Sequence, residues 1–308
     1  MGHVDIQVLR WFRAVADGAT VTRTAADAHV TQPALSRALG RLEREVGTPL
    51  LHRAGRGLRL TPAGRVFAEH AAATLDRYDA GLRATAEVVD PDRGVVPLAF
   101  LHTFGTWLVP PLVHGYLAAR PRVRFELNQH GEQAILSALL SGGVDLIITS
   151  GDPDHPDVRW RRLLVEPLRL AVPPGHRLAH RTRVRLADVA DDPFVVLRPG
   201  YGLRDTTEDL CRAAGFVPRI GFEGEEVETL RGLVTAGLGV ALLPVPQTAT
   251  FPPSQALPAA PHLRVSDVDA SRDVGLAWLR GRVLPASSAG FRDHVLRSVR
   301  DVAPPGYR

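Results

Sequence analysis

The sequence predicts an α/β chain in three parts: a small helical unit closed by a β-hairpin, one long helix, and two α/β lobes. Three observations carry this. Within about the first sixty residues a tightly joined helix pair is followed by two short strands around a glycine turn. An apolar repeat near three- and four-residue spacing then runs to Val89. Beyond it, helical and strand-like patterns alternate in an imperfect duplication.

The elements follow in order. Leu9, Phe12, Val15 and Ala16 form an apolar stripe that stops at Gly18, and Val21 to His29 carries a second short helix seeded by Thr20 or Thr22. After a turn at His29-Val30, Thr31 is an N-cap type, Pro33 suits a first turn, and Gly47 supplies the stop. Leu35, Leu39, Leu42 and Val46 share one face, which is expected to pack inward, while Gln32, Ser36, Arg37, Arg41 and Arg44 occupy the others. Leu50-Leu51-His52-Arg53, Ala54-Gly55-Arg56-Gly57 and Leu58-Arg59-Leu60 then read as two strands around a glycine turn, an arginine-bearing wing.

Three helices with the last two joined tightly is the grammar of a helix-turn-helix module. From Arg10 to Arg65 there are ten arginines against four acids, a net +6, whereas the whole 308-residue chain carries only +4. Positive charge is thus concentrated where a polyanion would lie, and the polar residues at the helix start are of the types that bond base edges and phosphates. The partner this predicts is double-stranded DNA.

These residues resemble the LysR-type transcriptional regulators. The resemblance rests on Thr24-Ala25, Ala28, the run Val30-Thr31-Gln32-Pro33-Ala34-Leu35-Ser36, then Leu42-Glu43, Gly47, Leu50-Leu51, Arg53 and Leu60-Thr61-Pro62-Ala63-Gly64. Thr24, Ala28, Thr31 and Leu51 depart from the family's usual Ala, Leu, Ser and Phe. The resemblance implies base or phosphate contacts from Thr31, Gln32, Pro33, Ser36 and Arg37, with Arg53 and Arg56 in the wing. It further implies homodimers on an interrupted dyad site, a dimer of dimers, a small-molecule effector, and a bilobed periplasmic-binding-protein-like effector domain. RNA polymerase is admitted as a further partner.

Composition agrees with this class. With 45% hydrophobic residues the chain can bury a sizeable core and hold more than one domain. The single cysteine, Cys211, excludes an internal disulfide framework and reads as a small apolar residue on a helix. The start Met1-Gly2-His3-Val4-Asp5 lacks a signal-peptide pattern, and no run of about 18 apolar residues offers a membrane span, so a cytoplasmic location is expected. Every Lys+Arg position is Arg.

Thr61 caps a second organisation, with Pro62 in the first turn. Phe67, Ala71, Leu75, Tyr78, Leu82 and Val89 recur as a coiled-coil seam, and Pro91-Asp92-Arg93-Gly94 breaks the helix. So narrow a seam calls for a partner helix, most simply from a second copy. The family's linker helix has this role.

Pro121-Arg122-Val123-Arg124-Phe125-Glu126 and Pro218-Arg219-Ile220-Gly221-Phe222-Glu223 share one pattern. Each leads through a helical segment and a glycine stop to an apolar strand, at Val144 to Ile148 and Val240 to Leu243. With strands at Pro97 to Leu101 and Phe194 to Leu197, each lobe is expected to hold three or more parallel strands. Val274 to Leu279 and Ala286 to Val299 return to the first lobe. The expected division is residues 1–61 for DNA binding, 62–91 for the linker helix, 92–167 with 266–308 for the first lobe, and 168–265 for the second.

Ligands of open parallel sheets sit beyond the carboxyl ends of strands. That nominates His102, Thr103, Phe104, Glu132, Thr149, Tyr201 and Glu225 for the effector. Thr103 leads, as a hydroxyl before a helix start able to bond a ligand carboxylate; an ordinary N-cap is the other reading. The family places a small polar residue where Glu132 stands, and the change favours a cationic or hydroxyl-rich effector over an anionic one. Glu132 and Glu225 also suit helix-start charges, and Tyr201 a turn aromatic packed on the surface.

No cofactor or metal is expected. The glycines from Gly232 to Gly239 end a helix before a strand, the reverse of a dinucleotide fingerprint. His176 and His180 have metal-ligand spacing but sit by the Pro173-Pro174-Gly175 loop without a local acidic ligand. The competing function is an α/β enzyme whose N-terminus is an oligomerisation arm. Replacing Gln32 and Arg37 separates the two, since only a regulator would fail.

Overall fold

The computed structural model describes residues 5–55, 57–90, 93–245, 260–304 and 306–307. Two compact units emerge: Met1–Ala86 together with Ser141–Gly143, and Glu87–Leu140 together with Val144–Arg308.

In the first unit, helix α1 (Ile6–Ala16) is capped by Asp5, which accepts from Gln7 N–H. Helix α2 (Val21–Asp27) is capped by Thr20, and α3 (Gln32–Val46) by Thr31. His29 takes a left-handed φ of 52° in the turn between α2 and α3, and Gly47 ends α3 at φ 80°. Strands β1 (Leu51–Ala54) and β2 (Gly57–Leu60) form the antiparallel hairpin, with His52 opposite Arg59 and Arg53 opposite Leu58.

Helix α4 spans Pro62–Val89, and Thr61 Oγ1 accepts Gly64 N–H at 2.9 Å to start it. Leu9, Phe12, Val15, Leu35, Leu39, Leu42 and Leu50 make a core that Ala71 and Leu75 complete, and Phe67 meets Phe12 edge to face at 5.4 Å. Two sequence expectations are corrected here. Val46 is exposed, because α3 overshoots the core by a turn, and Ala38 is buried instead. The seam divides: Phe67, Ala71 and Leu75 are covered by this chain's own helices, leaving Tyr78, Leu82 and Val89 exposed. The described chain shows Val66 and Val88 exposed as well.

The second unit carries β3 (Val95–Phe100), α5 (Val109–Ala119), β4 (Arg124–Gln129), α6 (Glu132–Ser141), β5 (Leu146–Ser150) and the long β6 (Val158–Ala171). After these come β7 (Arg183–Val184), β8 (Pro193–Leu197), α7 (Gly202–Ala213), β9 (Arg219–Gly224), α8 (Val227–Thr235) and β10 (Ala241–Pro244). The last are β11 (His262–Val265), β12 (Ser271–Leu279) and α9 (Ala286–Val302).

The first lobe holds three parallel strands in the order β4-β3-β5, extended by β12 antiparallel to β5 and to β6. Its sheet is buried on both faces, by Leu112, Tyr116, Phe291 and Val295 on one and by Ile135 and Leu139 on the other. Strand β6 changes partners along its length: residues 158–167 lie on β12, and residues 168–171 lie on β10. The second lobe departs from the expected three parallel strands. Among the described residues β8 pairs with β9 and β7 with β11 in parallel, a single parallel bridge joins Phe194 to Val240, and β10 turns antiparallel onto β6. The reason is β6 itself, whose free edge takes β10 directly. Gly239, just before β10, is needed where the chain passes β8, since a Cβ there would lie 2.4 Å from Pro193 O.

Candidate DNA interface and ligand cleft

Thr31, Gln32, Pro33, Ser36 and Arg37 are all exposed at the start of α3. Thr31 Oγ1 accepts Ala34 N–H at 3.4 Å, so its hydroxyl both caps the helix and stands at the surface. Gln32 and Ser36 line a groove with Arg53 of the wing, together with Thr20 and Thr22. From sequence alone the two threonines stand only as seeds of the second helix; that they share this groove is visible only once the fold sets α2 beside α3. Cross-strand pairing explains Arg53: it shares a face with Leu58, while His52 and Arg59 share the opposite one. Arg56 lies outside the described residues.

The hairpin is held to α3 by one side chain. Glu43 Oε1 accepts the N–H groups of both Leu50 and Leu51, each at 2.9 Å. Thr61 Oγ1 donates to Pro49 O at 2.8 Å, and Gly64 is required because a Cβ would meet Leu50 O at 1.9 Å. Among the described N-terminal arginines three are ion-paired within the chain: Arg10 with Asp79, Arg13 with Asp76 at 2.9 Å, and Arg23 with Asp27 at 3.8 Å. The surface facing outward is less basic than the local count suggests.

The second site lies between the two lobes of the second unit. Leu101, His102 and Thr103 face His130, Gly131 and Glu132 at one side, and Leu197, Tyr201, Leu203, Glu225, Glu226 and Val227 at the other. Glu132 crosses this cleft. Its Oε1 accepts the buried Thr149 hydroxyl at 3.0 Å, and its Oε2 accepts Gly202 N–H at 2.8 Å, at the start of α7. Burial raises the carboxyl above its ordinary range, against the hydrogen bonds from Thr149 and Gly202. Tyr201 packs on Gly131, whose Cβ would lie 3.4 Å from the ring. On this side of Glu132 a cavity of about 30 Å³ remains, room for a water, and on its other side an opening of about 340 Å³ runs between Thr149, Ser150, Gly200 and Asp205.

The nominated effector residues do not all stand as the sequence suggests. Thr103 does not begin a helix; it sits in a three-residue turn, His102–Phe104, and α5 starts only at Val109. Its Oγ1 instead accepts from Arg272 Nη2 at 3.1 Å. Phe104 is wholly buried in the first lobe's core with the Arg272 guanidinium over its ring at 5.3 Å, so it supports the site without lining it. Thr149 is held by Glu132 and lines a separate opening on the far side of that side chain, with Gly200, Gly202 and Asp205. Glu225 lines the cleft while ion-paired to Arg198. Tyr201 is a cleft wall and not a surface aromatic.

Sequence reading missed Arg272. It is 6% exposed, and its Nε donates to Glu166 Oε2 at 2.5 Å, with Tyr307 Oη donating to Glu166 Oε1 at 2.9 Å. The strands carry several charges, five on β6 and two on β12, so nothing local marks Glu166 and Arg272 as the buried pair. His176 pairs with Asp192 at 3.3 Å.

Two family models match: a bacterial regulatory helix-turn-helix protein of the lysR family over residues 6–65, and a LysR substrate binding domain over residues 90–300. The chain is 37% identical over 294 residues to the uncharacterized HTH-type transcriptional regulator YybE of Bacillus subtilis, covering 95% of this chain and 98% of that one. It is 31% identical over 295 residues to the transcriptional dual regulator GltC of the same organism, covering 96% and 97%. Among solved structures, full-length CbnR complexed with its target DNA superposes with a TM-score of 0.73 at 25% identity, covering 96% and 99%. The effector binding domain of QuiR in complex with shikimate gives 0.62 at 26% identity, covering 68% and 98%.

Proposed function

We propose that this chain, which belongs to the LysR family of bacterial helix-turn-helix transcriptional regulators, reads its operator with the exposed start of α3 and has that reading adjusted by a small molecule between its lobes. The observation that carries the first half is the shared groove: Gln32 and Ser36 on α3 and Arg53 on the wing open onto one surface, so a helix in the major groove would bring the wing to the adjacent backbone. Thr31, Gln32, Pro33, Ser36 and Arg37 take base edges and nearby phosphates, and Arg53 positions the module.

The exposed Tyr78, Leu82 and Val89 of α4 support pairing with a second copy, which would present two reading helices to a dyad. In the cleft, Thr103 with Arg272 forms a polar end, Glu132 an acidic one, and His102, Tyr201 and Glu225 the rim. An effector enters by parting the lobes and displacing Glu132 from Gly202, and a cationic or hydroxyl-bearing group meets Glu132 best. QuiR, whose effector binding domain was solved in complex with shikimate, supports a small-molecule effector for this domain.

The test is fluorescence anisotropy on a dyad-containing fragment from the chain's own upstream region, run as a salt series. Affinity that falls with salt, and that collapses in a Gln32→Ala/Arg37→Ala variant of unchanged circular dichroism, is the expected result. Equal binding by that variant would sink the reading.

A further inference from the structure

On the second lobe, away from the cleft, a basin of about 580 Å³ opens over the sheet formed by β10, β6, β11 and β7. Arg169, Arg181, Arg264 and His262 line it. Strand register explains the crowding. Leu263 pairs with Leu170, so antiparallel pairing sets the next residue, Arg264, against Arg169; on the other side Arg264 pairs with Arg183. Arg264 therefore comes between Arg169 and Arg183 on the neighbouring strands, and Arg169, Arg181 and Arg264 open onto the basin, Arg169 and Arg264 close enough to repel.

Like charges directly opposite one another destabilise a sheet. Among the described residues none of Arg169, Arg181, Arg183 and Arg264 has a carboxylate within ion-pair distance, although most of the chain's buried or half-buried arginines do: Arg272 has Glu166, Arg204 has Glu208 and Glu223, Arg282 has Asp145. Residues 246–259 contain no Asp or Glu to supply one. Arg169 is held below the usual guanidinium range, first by burial and then by Arg264.

His262 adds a donor. Arg231 Nη1 donates to its Nε2 at 2.8 Å, so the ring is neutral with its hydrogen on Nδ1, and that buried Nδ1 has no hydrogen-bond partner. Burial, with Arg231 and Arg169, pushes its pKa down to about 4. The basin is thus rich in donors and poor in acceptors, the inverse of the acid-rimmed cleft.

We infer that this basin is a second ligand site, distinct from the cleft, for a small polyvalent oxyanion whose oxygens take the unpaired guanidinium N–H groups. Phosphate and polycarboxylate groups share this chemistry, so pyrophosphate and citrate serve as the two probes.

Each is titrated into the full-length protein at constant ionic strength, followed by calorimetry and thermal unfolding. At least one is expected to bind saturably and raise the melting temperature. Arg264→Gln and Arg169→Gln are each expected to weaken binding by about tenfold or more, since a charge-assisted bond is lost. Arg264→Gln should also unfold at a higher temperature than the wild type when no anion is present, because its repulsion of Arg169 is relieved. Thr103→Val in the cleft and Arg37→Ala on the DNA face should leave anion binding unchanged. The inference is overturned by the absence of any response beyond that to sodium chloride, by a response that survives in the Arg169→Gln/Arg264→Gln double variant, or by its loss in Arg37→Ala.

Discussion

Glu132 Oε2 accepts the backbone N–H of Gly202 at 2.8 Å, so a carboxylate from the first lobe ends on the first residue of α7 in the second. Helix starts favour negative charge, and here the chain supplies that charge itself. Gly202 is needed for the contact, since a Cβ would lie 2.3 Å from the same oxygen. The carboxylate thus occupies a place suited to a ligand anion and holds the lobes together.

This contact predicts a pH dependence. Burial, outweighing the bonds from Thr149 and Gly202, raises the folded-state pKa of Glu132. Between the unfolded value, about 4.3, and the higher folded value, the folded chain binds more protons than the unfolded one. Glu132's contribution to stability is therefore fully present below the unfolded pKa and is lost as pH rises through the folded one. Glu132→Gln cannot titrate, and urea unfolding over this range should show a shallower fall with pH than in the wild type. An unchanged slope would refute the assignment.

Position-specific losses are expected on the DNA face. Gln32→Ala should cost about 1–3 kcal/mol on the cognate site and relax the preference at one base pair. Arg53→Ala should weaken all sequences alike and reduce the slope of log K against log salt by about one, as for a phosphate contact. Competition binding over a set of single-base operator variants separates the two patterns.

Gly64→Ala should destabilise the first unit by about 1–3 kcal/mol, because the added methyl meets a backbone carbonyl that cannot swing aside. Leu50 O also accepts Thr61 N–H at 2.9 Å, so its displacement disturbs the junction between wing and α4. Chemical unfolding of the isogenic pair measures this, and equal midpoints would contradict it.

Cys211 should be inert in the native protein. It is wholly buried on α7, and burial pushes its thiol up to about 12. Maleimide labelling is expected only after denaturation; rapid native labelling would falsify the burial. Peroxide at levels that oxidise exposed thiolates should leave DNA binding unchanged, because this is the only cysteine in the chain.

Much of the reading helix was legible because capping is local chemistry. Thr31, Pro33 and Gly47 mark the ends of α3 through groups a few residues away. Tyr201 and Glu132 were reachable by the rule that ligands gather at strand ends. What periodicity does not report is which partner covers a face. Phe67, Ala71 and Leu75 share a rhythm with Tyr78 and Leu82, yet the first three pack on the chain's own helices. Phe104 beside Thr103 looked equally available, and only its burial separates them.

By itself the sequence determined the order of parts and the family, and nominated the residues proposed to read DNA, since each rests on short-range patterns of caps, spacing and turn residues. Tertiary structure alone decided how the cleft is closed and charged. Arg272 and Glu166 are 106 residues apart, and Glu132 and Gly202 are 70 apart. Such pairs are set by strand register and lobe packing, which depend on the burial of the whole sheet and leave no local mark in the chain.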